Sequence, residues 1–457
     1  MTSVAVLLPG LSLVSAGFKK ATIIFLVAGA AILLATGQPF SEWLIAINSM
    51  TNTVAIMVAM QLVAIPISIG RYDERICQWA NQHARSNTAL FSFSTLVTHL
   101  FASFLNMGAI PLSMNLMGKT IRSRLSGESA DRFLAVTVSR GYVLAALWAP
   151  PAINLYLVGQ ATGIPWSQLL MPGILLAMIG FGLSYWAELR HGVIAEKSKN
   201  AGRANALSME HTPNASCNNA NRVNDIEVFR SSKIYHSSGR NENAAMLHVG
   251  IAALSIAGIV FFLEKKAIGA SYTRIMLAGA LVSAIWSLAL HDSCRFRRAA
   301  HEYWDDGLLK VRDMGPFFVA MGIFSRSLQS SGILDAIAPF IQHSAGQLGL
   351  FAVVLLPLVM TGLSVIGFHP FITIVLFGTI LAATPMKLPM LSIALSLAVG
   401  GAASYMISPF AGIIMSISRY TGAKASQISI KWNGAYSIAF FIVGVLFAIA
   451  WGTIIGR

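Results

Sequence analysis

Charge is what this chain has least of. Asp, Glu, Lys and Arg make up 11% of its 457 residues, against about a quarter in an ordinary soluble domain. A soluble fold of this length needs a hydrated, charged surface, and so few charges do not provide one. Cysteine is also scarce: Cys77, Cys217 and Cys294 lie far apart with no CxxC spacing, which excludes a disulfide framework and a metal knuckle. Acidic residues are missing from the apolar runs, so the carboxylate relay of many proton pumps is not expected. There is no P-loop and no GxSxG, and His301-Glu302-Tyr303-Trp304-Asp305 fails the HExxH pattern at its last position. An ATPase or a zinc protease is therefore unsupported, and no catalytic residue or resident cofactor is expected.

What is present is apolar length. The chain is 55% hydrophobic, and apolar runs of about 17 residues or more recur through both halves, the mark of an all-α polytopic membrane protein. The first run lacks the basic start and small-residue cleavage site of a signal peptide, so it is expected to be retained. The net charge of +14 invites a nucleic-acid partner. The basic residues, however, lie between apolar runs, where they read as cytoplasmic flanks of membrane helices. The stretch Arg71 to Arg85, polar with Ile76 and Trp79 on one side, is expected to be an interfacial helix.

The chain also repeats itself. Gly367 and Pro370 interrupt the apolar stretch Thr361 to Ile380, and Gly108 and Pro111 interrupt Phe104 to Leu116 in the same way, 259 residues earlier. At the same offset Gly141 answers Gly400, Pro150 answers Pro409, and Thr162-Gly163 answers Thr421-Gly422. Residues 1–187 are therefore read as a first transmembrane repeat and 246–457 as a second. Between them, 188–245 is a polar linker with no apolar periodicity. Each repeat is assigned about five crossings, a re-entrant hairpin and a broken helix. An odd number of crossings makes the second repeat inverted. With the N-terminus outside, 25 of the 32 basic residues fall on the cytoplasmic side and five outside, while Arg140 and Arg326 lie within apolar runs. That asymmetry supports the inverted topology.

Paired broken helices in inverted repeats point to a secondary transporter with its site near the bilayer midplane. A broken helix offers free N–H groups and a positive dipole end to an anion, and its freed carbonyls can hold Na⁺. The breaks are Asn106 to Pro111 with Gly108, Trp148 to Pro151 with Pro150, Ser364 to Pro370 with Gly367, and Ser408-Pro409. Candidate ligands for a small anion are Asn106, Asn154, Ser364, Ser408 and His369, with Asn106 and Ser364 also possible Na⁺ contacts. His369 is the residue suited to carry a proton. His99 is expected to be structural. A charge at membrane depth is a functional candidate. Arg140 is expected to snorkel to the cytoplasmic interface, with an anion as the alternative, whereas Arg326 is deeper and is placed with Asp335, a carbonyl or the anion. The acidic and His cluster His291, Asp292, His301, Glu302, Asp305 and Asp306 reads as a solvated link; a membrane-embedded enzyme would place its chemistry there.

The two repeats, the hairpins FLNMGAIP and SVIGFHP and the broken helices WAPPAIN and YMISPFAG resemble the ion transporter superfamily. That group holds divalent-anion/sodium symporters, citrate transporters and arsenite-pump-like permeases. The resemblance covers nearly the whole chain except the linker, although of the symporters' Ser-Asn-Thr tip signature only Asn106 is present. It implies an inner-membrane homodimer that carries a small di- or tricarboxylate with Na⁺ or H⁺, one part sliding as an elevator against a scaffold. A cation/proton antiporter or an oxyanion permease on the same scaffold is the alternative.

Overall fold

The computed structural model describes residues 16–70, 72–84, 86–191, 243–290, 293–302, 315–333, 336, 351–368, 389–455 and single residues between 370 and 377. His369, Asp335, Asp292, Asp305 and most of the central linker lie outside them. The described linker edges are helical, so the helices extend through His191 and begin again at Asn243.

The elements in order are α1 (Ala16–Ala35), α2 (Phe40–Asn48), α3 (Thr51–Met60), a 3₁₀ turn (Gln61–Val63), α4 (Ala64–Ile69), α5 (Tyr72–His83), α6 (Asn87–Leu105), α7 (Ala109–Arg122), α8 (Gly127–Ala145), α9 (Ile153–Thr162) and α10 (Trp166–His191). After the linker come α11 (Asn243–Lys265), α12 (Ser271–Ala289), α13 (Ser293–Glu302), α14 (Gly315–Ser330), α15 (Phe351–Ile366), α16 (Met390–Ile407), α17 (Gly412–Thr421) and α18 (Gly434–Ile455). A π-helical turn, Gln427–Trp432, precedes the last helix. Seven helical stretches among the described residues are long and apolar enough to cross a membrane. Several carry exposed apolar side chains four residues apart, such as Leu277, Leu281 and Ile285 on α12 and Ile438, Ile442 and Leu446 on α18. Stripes of this kind suit lipid rather than water.

Two groups of helices result. In one, α1 and α2 pack on α14, and α12 packs on α3 and α11. In the other, α6 packs on α8, α15 and α18 on α16, and α9 on α16. Helix α5 touches both groups, through α7 on one side and α4 and α11 on the other. Helices α8 and α16 form the centre of the second group and are buried along almost their whole length.

The first hairpin is real. The 36 residues from Asn87 to Arg122 would span about 54 Å as one straight helix. Instead Arg124, just past α7, donates its guanidinium to the carbonyl of Ala84, just before α6. The two arms therefore start and finish at one place, with the tip at Asn106–Gly108 between them.

The repeat is visible in the backbone as well. Helices α9 and α17 have identical bounds at the 259-residue offset, and each ends on a left-handed glycine, Gly163 at φ 71° and Gly422 at φ 77°. Thr162 and Thr421 each bond back four residues, to Val158 and Ile417, and each accepts from the amide two residues on. Gly141 and Gly400 serve one purpose. A Cβ at Gly141 would lie 2.6 Å from the Thr95 carbonyl on α6, and one at Gly400 would lie 2.6 Å from Pro357 Cβ on α15. Each glycine lets the first hairpin arm lie directly against the central helix of its repeat.

Candidate functional site

The first break falls at Asn106, the first residue of the expected Asn106 to Pro111 interruption. Asn106 sits at φ 51°, ψ −127°, a backbone conformation costly for any residue with a side chain. Its own amide group holds it there. Asn106 Nδ2 donates to the Pro151 carbonyl at 2.9 Å, and its Oδ1 accepts from the Tyr142 hydroxyl at 2.7 Å. The hairpin tip is thereby bonded to the break between α8 and α9, in which Pro150 is buried. Gly108 is helical, at φ −64°, and a Cβ there would find only Leu105 Cβ at 3.8 Å. Gly367 is different: its φ is 117°, strained for any side chain, although a Cβ would only touch the ring of Phe410 at 3.7 Å. Gly108→Ala is therefore expected to change stability by less than about 0.5 kcal/mol, and Gly367→Ala to cost about 1–2 kcal/mol. Unfolding of both variants in detergent checks the contrast.

In the second half the Ser408 hydroxyl donates to the Ser364 carbonyl at 2.6 Å, tying the break between α16 and α17 to α15. The Ser364 hydroxyl itself bonds back to Thr361 O at 2.8 Å, as serines inside helices commonly do. Pro409 lies next to it, half-buried, beside exposed Phe410. His369 falls outside the described residues.

The two halves meet at Tyr405 of α16. A small cavity, with room for about one water molecule, is lined by Asn106, Tyr142, Asn154, Tyr405 and the apolar Ala102, Ala146, Ala152 and Ile153. Tyr142 and Tyr405 pack edge to face at 6.3 Å, and Tyr405 in turn meets Phe371 at 5.6 Å, just past the second tip. The row of rings continues to Phe318 on α14, 5.3 Å from Phe371. Asn154 is buried at the start of α9. Its Nδ2 faces the Ala398 carbonyl of α16 at 3.4 Å, while its Oδ1 has no hydrogen-bond partner. No charged side chain lines this cavity among the described residues.

Both membrane arginines are placed differently from expectation. Arg326 does not line the cavity, and Asp335 lies outside the described residues. The Arg326 guanidinium makes a two-point pair with Glu42 of α2, at 3.0 and 3.3 Å, in the other helix group. Arg140 does not snorkel: it is 1% exposed and pairs with Glu188 at 3.0 Å. It also donates to Asn433, Ser184 and the Trp432 carbonyl and lies 4.3 Å from the centre of the Tyr436 ring. Glu188 is itself a correction. An acid absent from the expected crossings is buried in the last turns of α10, because its partners Arg140 and Arg132 stand on α8. His99 is structural in kind: its Nε2 accepts from Trp148 Nε1 at 3.0 Å. Among the described residues no three His, Cys, Asp or Glu side chains gather as a metal site.

Tyr142 and Tyr405 were not legible as site residues. The only signal was indirect, in that Tyr142 follows Gly141, one of the residues that pair across the repeat.

No protein-family model matches the chain, and no curated protein matches it by sequence. Solved structures do match in fold. The YdaH transporter of Alcanivorax borkumensis is 12% identical, with a TM-score of 0.58 over 94% of this chain and 98% of its own. MtrF of Neisseria gonorrhoeae, described with a class of antimetabolite efflux pumps, is 12% identical with a TM-score of 0.54 over 94% of each chain. The chain thus has the fold of these polytopic membrane proteins.

Proposed function

We propose that the protein is a secondary active transporter of a small organic anion, a di- or tricarboxylate, coupled to Na⁺ or H⁺. In this reading it is built on the plan of the ion transporter superfamily and sits as a homodimer in the inner membrane. Its repeats are inverted, and the group containing both hairpins moves as an elevator against the other. The observation that carries the reading is the meeting of a hairpin and a broken helix in each half, Asn106 on Pro151 beside the cavity and Ser408 on Ser364. The first intrahelical bonds of α9 and α17 are Tyr156 N to Ala152 O and Met415 N to Ala411 O. The amides before them, on Ile153 to Leu155 and Gly412 to Ile414, are the free donors of two helix N-termini, where negative charge is favoured. The fold shared with two transporters supports the same reading.

The test is thermal stability of the purified protein against a panel of small carboxylates, each in Na⁺ and in choline buffer. A ligand that binds only the folded state raises the midpoint by mass action. A carboxylate shift seen only with Na⁺ is the expected result for sodium coupling, and a pH-dependent shift without Na⁺ assigns the coupling to protons. No shift with any carboxylate would overturn the anion reading.

A further inference from the structure

We propose that Glu264 is a latch at the seam between the two helix groups, holding them in their present arrangement until its bond is released. This rests on the elevator reading above and names what restrains the movement. Helix α11 is an element of the first group that also lies along the second, against α6 and α10. Its last turn carries Glu264, whose Oε1 accepts from the Ser167 amide of α10 at 2.9 Å. Ser167 is the second residue of α10, so the carboxylate caps a helix of the other group, where negative charge is favoured. Helix α10 runs toward the 188–245 linker and α11 runs away from it. The bond therefore joins the two helices at the ends remote from their connection.

The surroundings aim the carboxylate. Arg274, in the first turn of α12, brings Nη1 to 3.8 Å from Glu264 Oε2, and its Nε donates to the Ile268 carbonyl at 2.9 Å. The turn between α11 and α12 is closed by Ala267 N on Glu264 O and Ile268 N on Leu263 O, both at 3.0 Å. Ala267 stands there at φ 55°, a left-handed position that ordinarily takes glycine. Backbone strain of this kind gathers where a structure is put to use. The two side chains are largely closed off from water, Glu264 at 9% and Arg274 at 15% exposure, so their charges are little screened. The buried face of α11 is otherwise apolar, with Val249, Ala252, Ile256 and Val260. That face can shift without losing a bond. The Glu264 bond is lost as soon as donor and acceptor leave hydrogen-bond distance, so it weights the equilibrium toward the present arrangement.

The test is the distance between the two groups in the full-length protein, read by electron–electron double resonance. Spin labels are placed at Leu288→Cys on α12 and Leu446→Cys on α18, both exposed, with Cys77, Cys217 and Cys294 replaced by serine. Two distances are expected, one of them that of the present arrangement. Glu264→Ala is expected to shift their ratio about ten-fold toward the other, the worth of one hydrogen bond to a charged group. Glu264→Gln keeps an acceptor without the charge and should shift it about three-fold the same way. The thermal midpoint, measured alongside, separates a latch from a mere helix cap, because loss of a cap lowers the midpoint and leaves the ratio alone. Two distances whose ratio in Glu264→Ala stays within about two-fold of wild type overturn the inference and leave the elevator reading standing. A single unchanged distance in wild type and both variants, with and without Na⁺, is the failure of the elevator reading itself and takes the latch with it.

Discussion

Glu188→Ala is expected to destabilise the protein by about 3–5 kcal/mol, the usual cost of stranding one partner of a buried ion pair. The stranded group is the Arg140 guanidinium, 1% exposed and held between α8, α10 and the residues around the π-helical turn. Arg132, 3.7 Å from the same carboxylate, would lose its partner as well. The double variant Arg140→Met/Glu188→Met removes both buried charges and should recover most of the loss, since apolar replacements of buried pairs are often neutral or better. Urea unfolding in detergent compares the three proteins. A loss below about 1 kcal/mol in Glu188→Ala would mean that the pair is solvated in the membrane.

Asn106→Leu is expected to lower uptake into proteoliposomes roughly 30-fold with the amount of protein in the membrane unchanged. The substitution removes both bonds that fasten the tip, to Pro151 and to Tyr142. Each is worth about 1 kcal/mol, and 2 kcal/mol corresponds to a factor of about 30 in a closing equilibrium. It also puts a branched side chain at φ 51°, where leucine is less tolerated than asparagine. Tyr142→Phe deletes the hydroxyl's bond to Asn106 and its weaker contact with Met107 Sδ, leaves the bond to Pro151, and should cost about five-fold. Full uptake by Asn106→Leu would separate tip docking from transport.

Much of the fold was legible because it follows from local rules. Apolar length marks membrane helices, and the 259-residue offset predicts helices that appear with the same bounds, caps and threonine bonds. The hairpin was readable from its breakers and flanking charges, while the Gly141 and Gly400 pairing was readable without the close contacts it marks. The partners of the charged residues were not readable. Arg140 finds Glu188 across 48 residues and Arg326 finds Glu42 across 284, and no local pattern encodes such a pairing. Glu188 was mistaken for the edge of a linker because an acid near a helix end ordinarily signals water. The break was legible as Asn106 to Pro111, but not that its turn is made by a strained asparagine held by its own side chain rather than by Gly108.

The row of rings from Tyr142 through Tyr405 and Phe371 to Phe318 leads from the cavity to a helix of the other group. Ring contacts of this kind are short-ranged and weakly directional. When one surface slides past another, each ring exchanges one apolar neighbour for the next at nearly constant energy. The tips are joined to their breaks by the opposite kind of contact, hydrogen bonds with one geometry and one partner. If the two groups move as proposed above, the row of rings serves as a bearing, and the protein stays stiff at its hydrogen-bonded tips and slips where its two parts meet.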